Sequence, residues 1–214
     1  MRGFVPHSTL YALLTLAALL VACSQAAPPT PTALPPTPLP APTEAPARGG
    51  GLPAGMRRYI DPQGGFSVAY PEGWTPLPDQ GSVRFVEDPF AINADSPAAG
   101  AMVFVLSGKL ADIQAASGKA VRNSKDLLDY TLEGVKPEQH PEFGRIELFE
   151  SNRLVFAASE GTYDDNVYQV RVRVYIATAV RGDRAVTVVS GAPGEEFDAY
   201  RPTFQAIVRT VALP

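Results

Sequence analysis

A proline-rich tract near the start of the chain divides the sequence into parts that cannot share one hydrophobic core. Residues 24–55 contain 10 of the 22 prolines, in repeated Thr-Pro and Ala-Pro units, and no aromatic residue. Such a composition buries too little apolar surface to offset the entropy lost on folding, and its prolines favour extended polyproline II. The tract therefore predicts a disordered spacer. A proline-rich ligand for a partner and an O-glycosylated stalk are the alternative interpretations.

A short apolar segment and the only cysteine of the chain precede the tract. Residues 10–22 form an apolar run that is shorter than the about 20 residues a helix needs to span a bilayer. Arg2 supplies a positive charge before this run, as in a secretory signal peptide. The run ends in Leu-Val-Ala followed by Cys23. Small residues before a cysteine resemble the lipobox of bacterial lipoproteins.

The resemblance to bacterial lipoproteins implies that Cys23 is the first residue of the mature chain and its lipidation site. In that family a diacylglyceryl group is attached to the thiol, the chain is cut before the cysteine, and the new amino terminus is acylated. Each methylene buried in a membrane contributes about 0.8 kcal/mol, so these chains would anchor the protein. We therefore expect a membrane-anchored protein on the extracytoplasmic face. An inner and an outer membrane are both compatible with the sequence.

These features predict three regions: a signal peptide over residues 1–22, a lipidated cysteine and linker over residues 23–55, and one domain over residues 56–214. The last region is long enough for a single hydrophobic core. The chain has 18 basic residues, so loss of Arg2 with the signal peptide leaves 17 against 22 acidic residues. A net negative charge does not attract nucleic acid, which is therefore not an expected partner.

Apolar runs over residues 56–214 predict a sheet of mainly antiparallel strands. A hairpin is expected where two long strands flank Asp164-Asp165-Asn166, and a two-residue loop there would place Glu160 opposite Arg171. A second turn is expected at residues 181–184. The predicted strands cover residues 58–60, 66–70, 82–86, 102–106, 154–163, 167–180 and 185–190.

Two helices are predicted beside this sheet. The first covers residues 123–133, with Asn123 or Ser124 as its N-cap and Gly134 in the left-handed conformation of a C-cap. Leucines recur on one side of this helix and charged residues on the other, so only one of its sides is expected to meet the sheet. A second helix near the end of the chain is expected to be kinked or restarted by Pro202.

Residues 65–74 read Gly-Phe-Ser-Val-Ala-Tyr-Pro-Glu-Gly-Trp, which predicts a strand, a turn and then the only tryptophan. This segment resembles the signature of the PsbP-like superfamily, which includes the PsbP subunit of photosystem II, a Ran-binding import factor and bacterial lipoproteins. The resemblance implies an α+β fold, an α/β/α sandwich with a central antiparallel sheet. It also implies a domain that binds proteins without catalysis. The structural residues of the motif are Phe66, Tyr70, Pro71, Gly73 and Trp74.

Few residues carry the chemistry of a catalytic or metal site. His140 is the one histidine left after removal of the signal peptide, and no Gly-x-Ser-x-Gly motif frames a serine, so a catalytic triad is not expected. Glu138, His140 and Glu142 alternate along a proline-flanked segment and are weak candidates for metal ligands. A solvated loop is the expected structure there, and no cofactor is predicted. The domain is therefore expected not to be an enzyme.

A non-catalytic protein-binding or assembly module, tethered to the membrane, is the function that the sequence favours. Arg173, on the polar side of a predicted strand, and Asp95, in a predicted loop over residues 87–99, are the candidate contacts to a partner protein. A ligand-binding or sensory lipoprotein that serves a transporter or envelope system is the alternative interpretation. A hydrolase is a more distant one.

Replacing Cys23 with alanine is expected to abolish lipidation, because the chain has no other thiol that could accept a diacylglyceryl group. The variant should remain as uncleaved precursor or be released as soluble protein. Detergent phase partitioning and intact-mass analysis measure these outcomes. Wild-type protein that carries no acyl mass on Cys23 would contradict the prediction.

Overall fold

The computed structural model describes residues 52–87 and 96–214, and the chain divides into two units, Met1–Pro53 and Ala54–Pro214. Cys23 lies outside the described residues, as does the proline-rich tract up to residue 51. The described part of the second unit contains ten strands and three α-helices. The strands are β1 (Met56–Ile60), β2 (Ser67–Pro71), β3 (Thr75–Asp79), β4 (Ser82–Val86), β5 (Met102–Lys109), β6 (Glu142–Phe143), β7 (Glu147–Ser151), β8 (Leu154–Asp165), β9 (Val170–Arg181) and β10 (Arg184–Pro193). The helices are α1 (Leu110–Ser117), α2 (Ser124–Glu133) and α3 (Phe197–Thr210).

Eight of the strands form one sheet, which has helices on both of its faces. The strand order is β3-β4-β5-β10-β9-β8-β6, and β7 pairs with β8 beside β6. Every pairing in this sheet is antiparallel. The first two strands, β1 and β2, form a separate antiparallel hairpin. The predicted α+β class, with a central antiparallel sheet between helices, is confirmed.

The larger core lies between one face of the sheet, the β1–β2 hairpin and α3. Tyr70 stacks on Phe85 with ring centroids 4.7 Å apart, and Trp74 meets Phe204 edge to face at 6.4 Å. The chain turns after β2, where the N–H of Trp74 donates to the carbonyl of Pro71 at 3.0 Å. This turn brings the tryptophan back over the strands. The buried aromatic residues of the motif are Phe66, Tyr70 and Trp74.

The other face of the sheet is covered by α2, which packs against β8 and β9. Leu127 and Leu128 point into two smaller cores on that side. The side chain of Asn123 accepts a backbone N–H of the first turn at 3.0 Å, so the predicted N-cap is confirmed. The left-handed C-cap predicted at Gly134 is wrong, because this residue has φ −71°. Its N–H instead donates to the carbonyl of Thr131 at 3.2 Å, which tightens the last turn.

The last helix, α3, runs without interruption through Pro202. The missing N–H of Pro202 leaves the carbonyl of Asp198 without its helical partner. The predicted restart of the helix does not occur, because the inner face stays fully buried on both sides of the second turn, at Phe197, Phe204, Ile207 and Val208. None of the helices in the described ranges is long and apolar enough to cross a membrane.

The β8–β9 hairpin differs in register from the expectation. Its loop has four residues, 166–169, and Asp165 pairs with the first residue of β9, so that Asp164 lies opposite Arg171. The predicted pairing of Glu160 with Arg171 is therefore wrong. The two registers differ by an even number of residues, so each side chain remains on the face of the sheet that was predicted for it.

Two predicted connections have different outcomes. The turn between β9 and β10 is confirmed, since Arg181 pairs with Arg184 and Gly182 has the left-handed φ of 58°. Of the predicted loop over residues 87–99, residues 88–95 lie outside the described residues, and Asp95 is among them. The described end of that loop, Pro97–Ala99, forms a short 3-10 helix.

Candidate functional site

The three residues considered as metal ligands do not come together. The Nδ1 atom of His140 lies 3.0 Å from Oδ2 of Asp164, whereas Glu142 forms an ion pair with Arg171 at 3.1 Å. Glu138 lies in a short helical turn and is exposed. In the part of the chain that the structure describes, no three His, Cys, Asp or Glu side chains lie close enough together to hold a metal ion.

Arg171 is the centre of a charged cluster near the end of the β8–β9 hairpin. Its guanidinium donates to Oδ1 of Asp164 at 2.8 Å and to Oγ1 of Thr162 at 2.7 Å, in addition to its ion pair with Glu142. The hydrogen bond from Arg171 holds the pKa of the Asp164 carboxyl below its ordinary value. Because solvent screens these exposed charges, the cluster orients side chains more than it stabilises the fold.

Arg173 lies in a second charged cluster, on the face of the sheet that α3 covers. It donates to Asp198 at 3.0 Å, and its guanidinium carbon stands 4.7 Å from the ring centroid of Phe197. Arg201 contacts the same ring and pairs with Asp198 at 2.7 Å. The Nε atom of Arg201 lies 2.9 Å from Glu160, as an ion pair without hydrogen-bond geometry. These contacts hold Arg173 against its own domain, and a partner contact there stays a prediction.

The carboxylate of Asp165 is buried and fixes the loop at the end of the β8–β9 hairpin. Its Oδ1 accepts the backbone N–H groups of Val167 at 2.9 Å and Tyr168 at 3.0 Å. Its Oδ2 accepts the hydroxyl of Ser96 at 2.5 Å. The backbone carbonyl of Asp165 accepts the N–H of Gln169, which has the left-handed φ of 57° and closes the loop. These four hydrogen bonds explain why the loop has four residues rather than two.

The loop held by Asp165 exposes apolar side chains to solvent. Val167 is 70% exposed and Tyr168 is 45% exposed, and Val170 at the start of β9 is exposed as well. They are three of the seven large apolar side chains that are exposed in the described residues. We call Val167, Tyr168 and Val170 the apolar tip. It lies at the end of the hairpin whose charged cluster is centred on Arg171.

The sequence pattern does not reveal the apolar tip, because Tyr168 and Val170 continue the apolar face of the predicted strand over residues 167–180. The residue in the sequence that indicates a longer loop is Asp165. An aspartate side chain often accepts the backbone N–H two residues later, and such a bond extends a tight turn into a longer loop. A loop of four residues places Val167 and Tyr168 beyond the last strand pair, where the sheet and its helices no longer cover them.

Comparisons with known proteins support the fold. No protein-family model and no curated protein matches the sequence. The solved structure of cyanobacterial PsbP from Synechocystis aligns with 78% of this chain and 98% of that protein, at a TM-score of 0.52. The two sequences are 14% identical over the alignment, so the likeness shows the fold alone.

Two further solved structures align less closely. A protein of unknown function from Pseudomonas aeruginosa covers 74% of this chain, with 96% of that protein, 13% identity and a TM-score of 0.46. The Ran-binding protein Mog1p from Saccharomyces cerevisiae covers 74%, with 95% of that protein, 12% identity and a TM-score of 0.43. Both scores are below 0.5, so neither structure carries an argument about this chain.

Replacing Asp165 with alanine is expected to loosen the loop and destabilise the domain by roughly 1–3 kcal/mol, the cost of leaving buried polar groups unsatisfied. The amide protons of Val167 and Tyr168 should then exchange faster with solvent. Urea unfolding and hydrogen–deuterium exchange measure these two effects. Asp183→Ala, in the exposed turn before β10, is the control. A cost within about 0.5 kcal/mol and unchanged exchange would show that Asp165 does not fix the loop.

Proposed function

We propose that this protein is a membrane-anchored, non-catalytic module that binds another protein through the apolar tip of its β8–β9 hairpin. The observation that carries this proposal is the exposure of Val167, Tyr168 and Val170 on a loop held by a buried carboxylate. When a partner removes grouped apolar side chains from water, their burial contributes favourably to the free energy of binding.

The geometry of the loop favours binding over disorder. The hydrogen bonds of Asp165 hold Val167 and Tyr168 before any partner arrives, so little backbone entropy is lost when they make contact. Tyrosine is enriched among the residues that dominate protein–protein interfaces, because it combines a large apolar area with few rotatable bonds. The hairpin itself is anchored in the sheet, because β9 also pairs with β10 along nearly its full length.

Charged side chains beside the apolar tip provide the polar rim of such an interface. Asp164 and Arg171 lie in the strand pair that follows the tip, and both are more than one third exposed. Glu142 and His140 extend the same cluster. An apolar centre with a charged rim is the usual arrangement of a protein-binding surface, in which the rim sets specificity and orientation. The expected partner surface is therefore an apolar depression flanked by charges.

The proposed anchor has its support in the sequence. The lipobox-like end of the apolar run makes Cys23 the candidate for acylation, and residues 24–55 have the composition of an extended spacer. In polyproline II such a spacer would reach roughly 100 Å at ~3.1 Å per residue. A domain held by it would sample a small volume beside the membrane. Its effective concentration near a membrane-bound partner would then greatly exceed that of a free protein.

The absence of catalysis in this proposal rests on the available chemical groups. His140 is the one histidine after the predicted signal peptide, and its Nδ1 is paired with Asp164 on an exposed edge. In hydrolases that form a covalent intermediate, the general base lies within hydrogen-bond distance of a serine, threonine or cysteine nucleophile. The hydrogen-bond partners of the His140 ring and backbone carbonyl are Asp164 and Arg171, which supply no hydroxyl or thiol.

The double variant Val167→Asp, Tyr168→Ala is expected to lose the partner, because it replaces the apolar contact with a charge and a cavity. Affinity capture from native membranes, with quantitative mass spectrometry, should show at least a tenfold loss of any protein that the wild type retains. Ile60→Asp is the matched control, since Ile60 is 47% exposed but lies on β1. Equal retention by the wild type and the double variant would contradict the proposal.

A further inference from the structure

The two ends of the central sheet differ in whether a further strand could form hydrogen bonds with the edge strand. Both outermost strands belong to hairpins with a two-residue turn, β3–β4 at one end and β7–β8 at the other. In such a hairpin the pair next to the turn is hydrogen bonded, and hydrogen-bonded and non-bonded pairs alternate from there. The first and third residues before that pair therefore direct their backbone groups away from the sheet. Their identity decides whether another strand can be added.

Prolines close the β3 end. The pair next to its turn is Asp79 with Ser82, so Pro78 and Pro76 are the residues whose backbone groups point outward. Neither has an N–H to offer an incoming strand. A strand that approached this edge would leave its own carbonyls unpaired at both positions.

The β7 end is open. Asn152 and Arg153 form its turn, with φ values of 49° and 63°, and the pair next to the turn is Ser151 with Leu154. Glu150 and Leu148 therefore occupy the outward positions that prolines fill in β3. Both carry an N–H and a carbonyl, and in the described residues β7 pairs with no strand other than β8.

Exposed apolar side chains accompany this open edge. Leu148 is 64% exposed, and Val155 in the neighbouring strand is 48% exposed. The register of β7 with β8 places Glu150 opposite Val155, so Leu148 and Val155 lie on the same face of the sheet. An edge with free backbone groups and uncovered apolar side chains has the features of a surface for strand addition.

We infer that β7 is a dimerisation edge, on which a second copy of this chain adds its own β7 antiparallel to the first. Self-complementarity in one register points to this occupant. If Leu148 lies opposite Leu148 of the other copy, Glu150 faces Ile146 and Glu147 faces Phe149. The apolar side chains meet on the two-fold axis, and no carboxylate lies directly opposite another carboxylate.

The symmetry of this arrangement fits a protein that is held at a surface. Antiparallel edge strands are related by a two-fold axis perpendicular to the sheet, so each face of one copy continues into the same face of the other. The β1–β2 hairpin lies on one face, and β1 of both copies therefore begins on the same side of the joined sheet.

The proposed dimer does not depend on the apolar tip, which lies on a different hairpin. Because one short strand pair is smaller than a standard interface of about 1,600 Å², we expect a weak dimer whose fraction rises with protein concentration.

Disulfide cross-linking tests the register in the full chain with Cys23→Ser, so that each introduced thiol is the only one. Leu148→Cys should be cross-linked by mild oxidation, because the two Cα atoms face each other at about 5.5 Å. Glu150→Cys is the matched control on the same strand, since its two copies lie four residues apart in this register. We expect at least ten times more disulfide-linked dimer with Leu148→Cys on a non-reducing gel. Equal cross-linking of the two variants, or none, would overturn the inference.

Sedimentation velocity provides a test that needs no introduced cysteine. Glu150→Pro removes an outward N–H and should leave the hairpin folded, with the melting temperature shifted by no more than a few degrees. The full chain with Cys23→Ser should sediment faster as its concentration rises, whereas the same chain with Glu150→Pro added should remain a monomer over the same range. Proline-variant protein that self-associates as the Cys23→Ser chain does would contradict a role for this edge.

Discussion

The carboxylate of Asp165 determines the geometry of the central hairpin, on which the rest of the domain depends. Its bonds to two loop amides and to Ser96 set a loop of four residues and thereby the pairing of β8 with β9. That pairing aligns Val172 and Val174 under α2 and Tyr175 under α3. One buried acid therefore fixes the register of β8 and β9, the strands that lie between the two helical layers. It also determines that the apolar tip is exposed.

The two outer parts of the sheet have different roles. Proline residues end the sheet at β3, whereas the opposite end carries an open strand edge and the hairpin with the apolar tip. The β1–β2 hairpin and α3 bury the aromatic motif on one face of the sheet. They do not cover the apolar tip at the end of the β8–β9 hairpin. A weak dimer would place two apolar tips in one assembly, and two simultaneous contacts strengthen the binding of a partner that has matching sites.

Much of the fold could be predicted from local patterns, because alternation and capping act over a few residues. The strand at Ser82–Val86, the cap at Asn123 and the turn at Gly182 follow from such patterns. The edge strand β3 was missed since Pro76 and Pro78 argue against a strand unless its outer side is known to be free. The apolar tip was missed for a related reason. Its exposure depends on a hydrogen-bonded loop and on what the neighbouring elements do not cover.

Site-specific photo-cross-linking in native membranes tests the central claim that the apolar tip contacts a protein. A photoreactive phenylalanine analogue would replace Tyr168 in the full chain, and in a control chain it would replace Tyr130, a partly exposed tyrosine of α2. If the apolar tip contacts a protein, a discrete higher-mass adduct should form from position 168 and none from position 130. An adduct from position 130 alone, or from neither position, would contradict this claim.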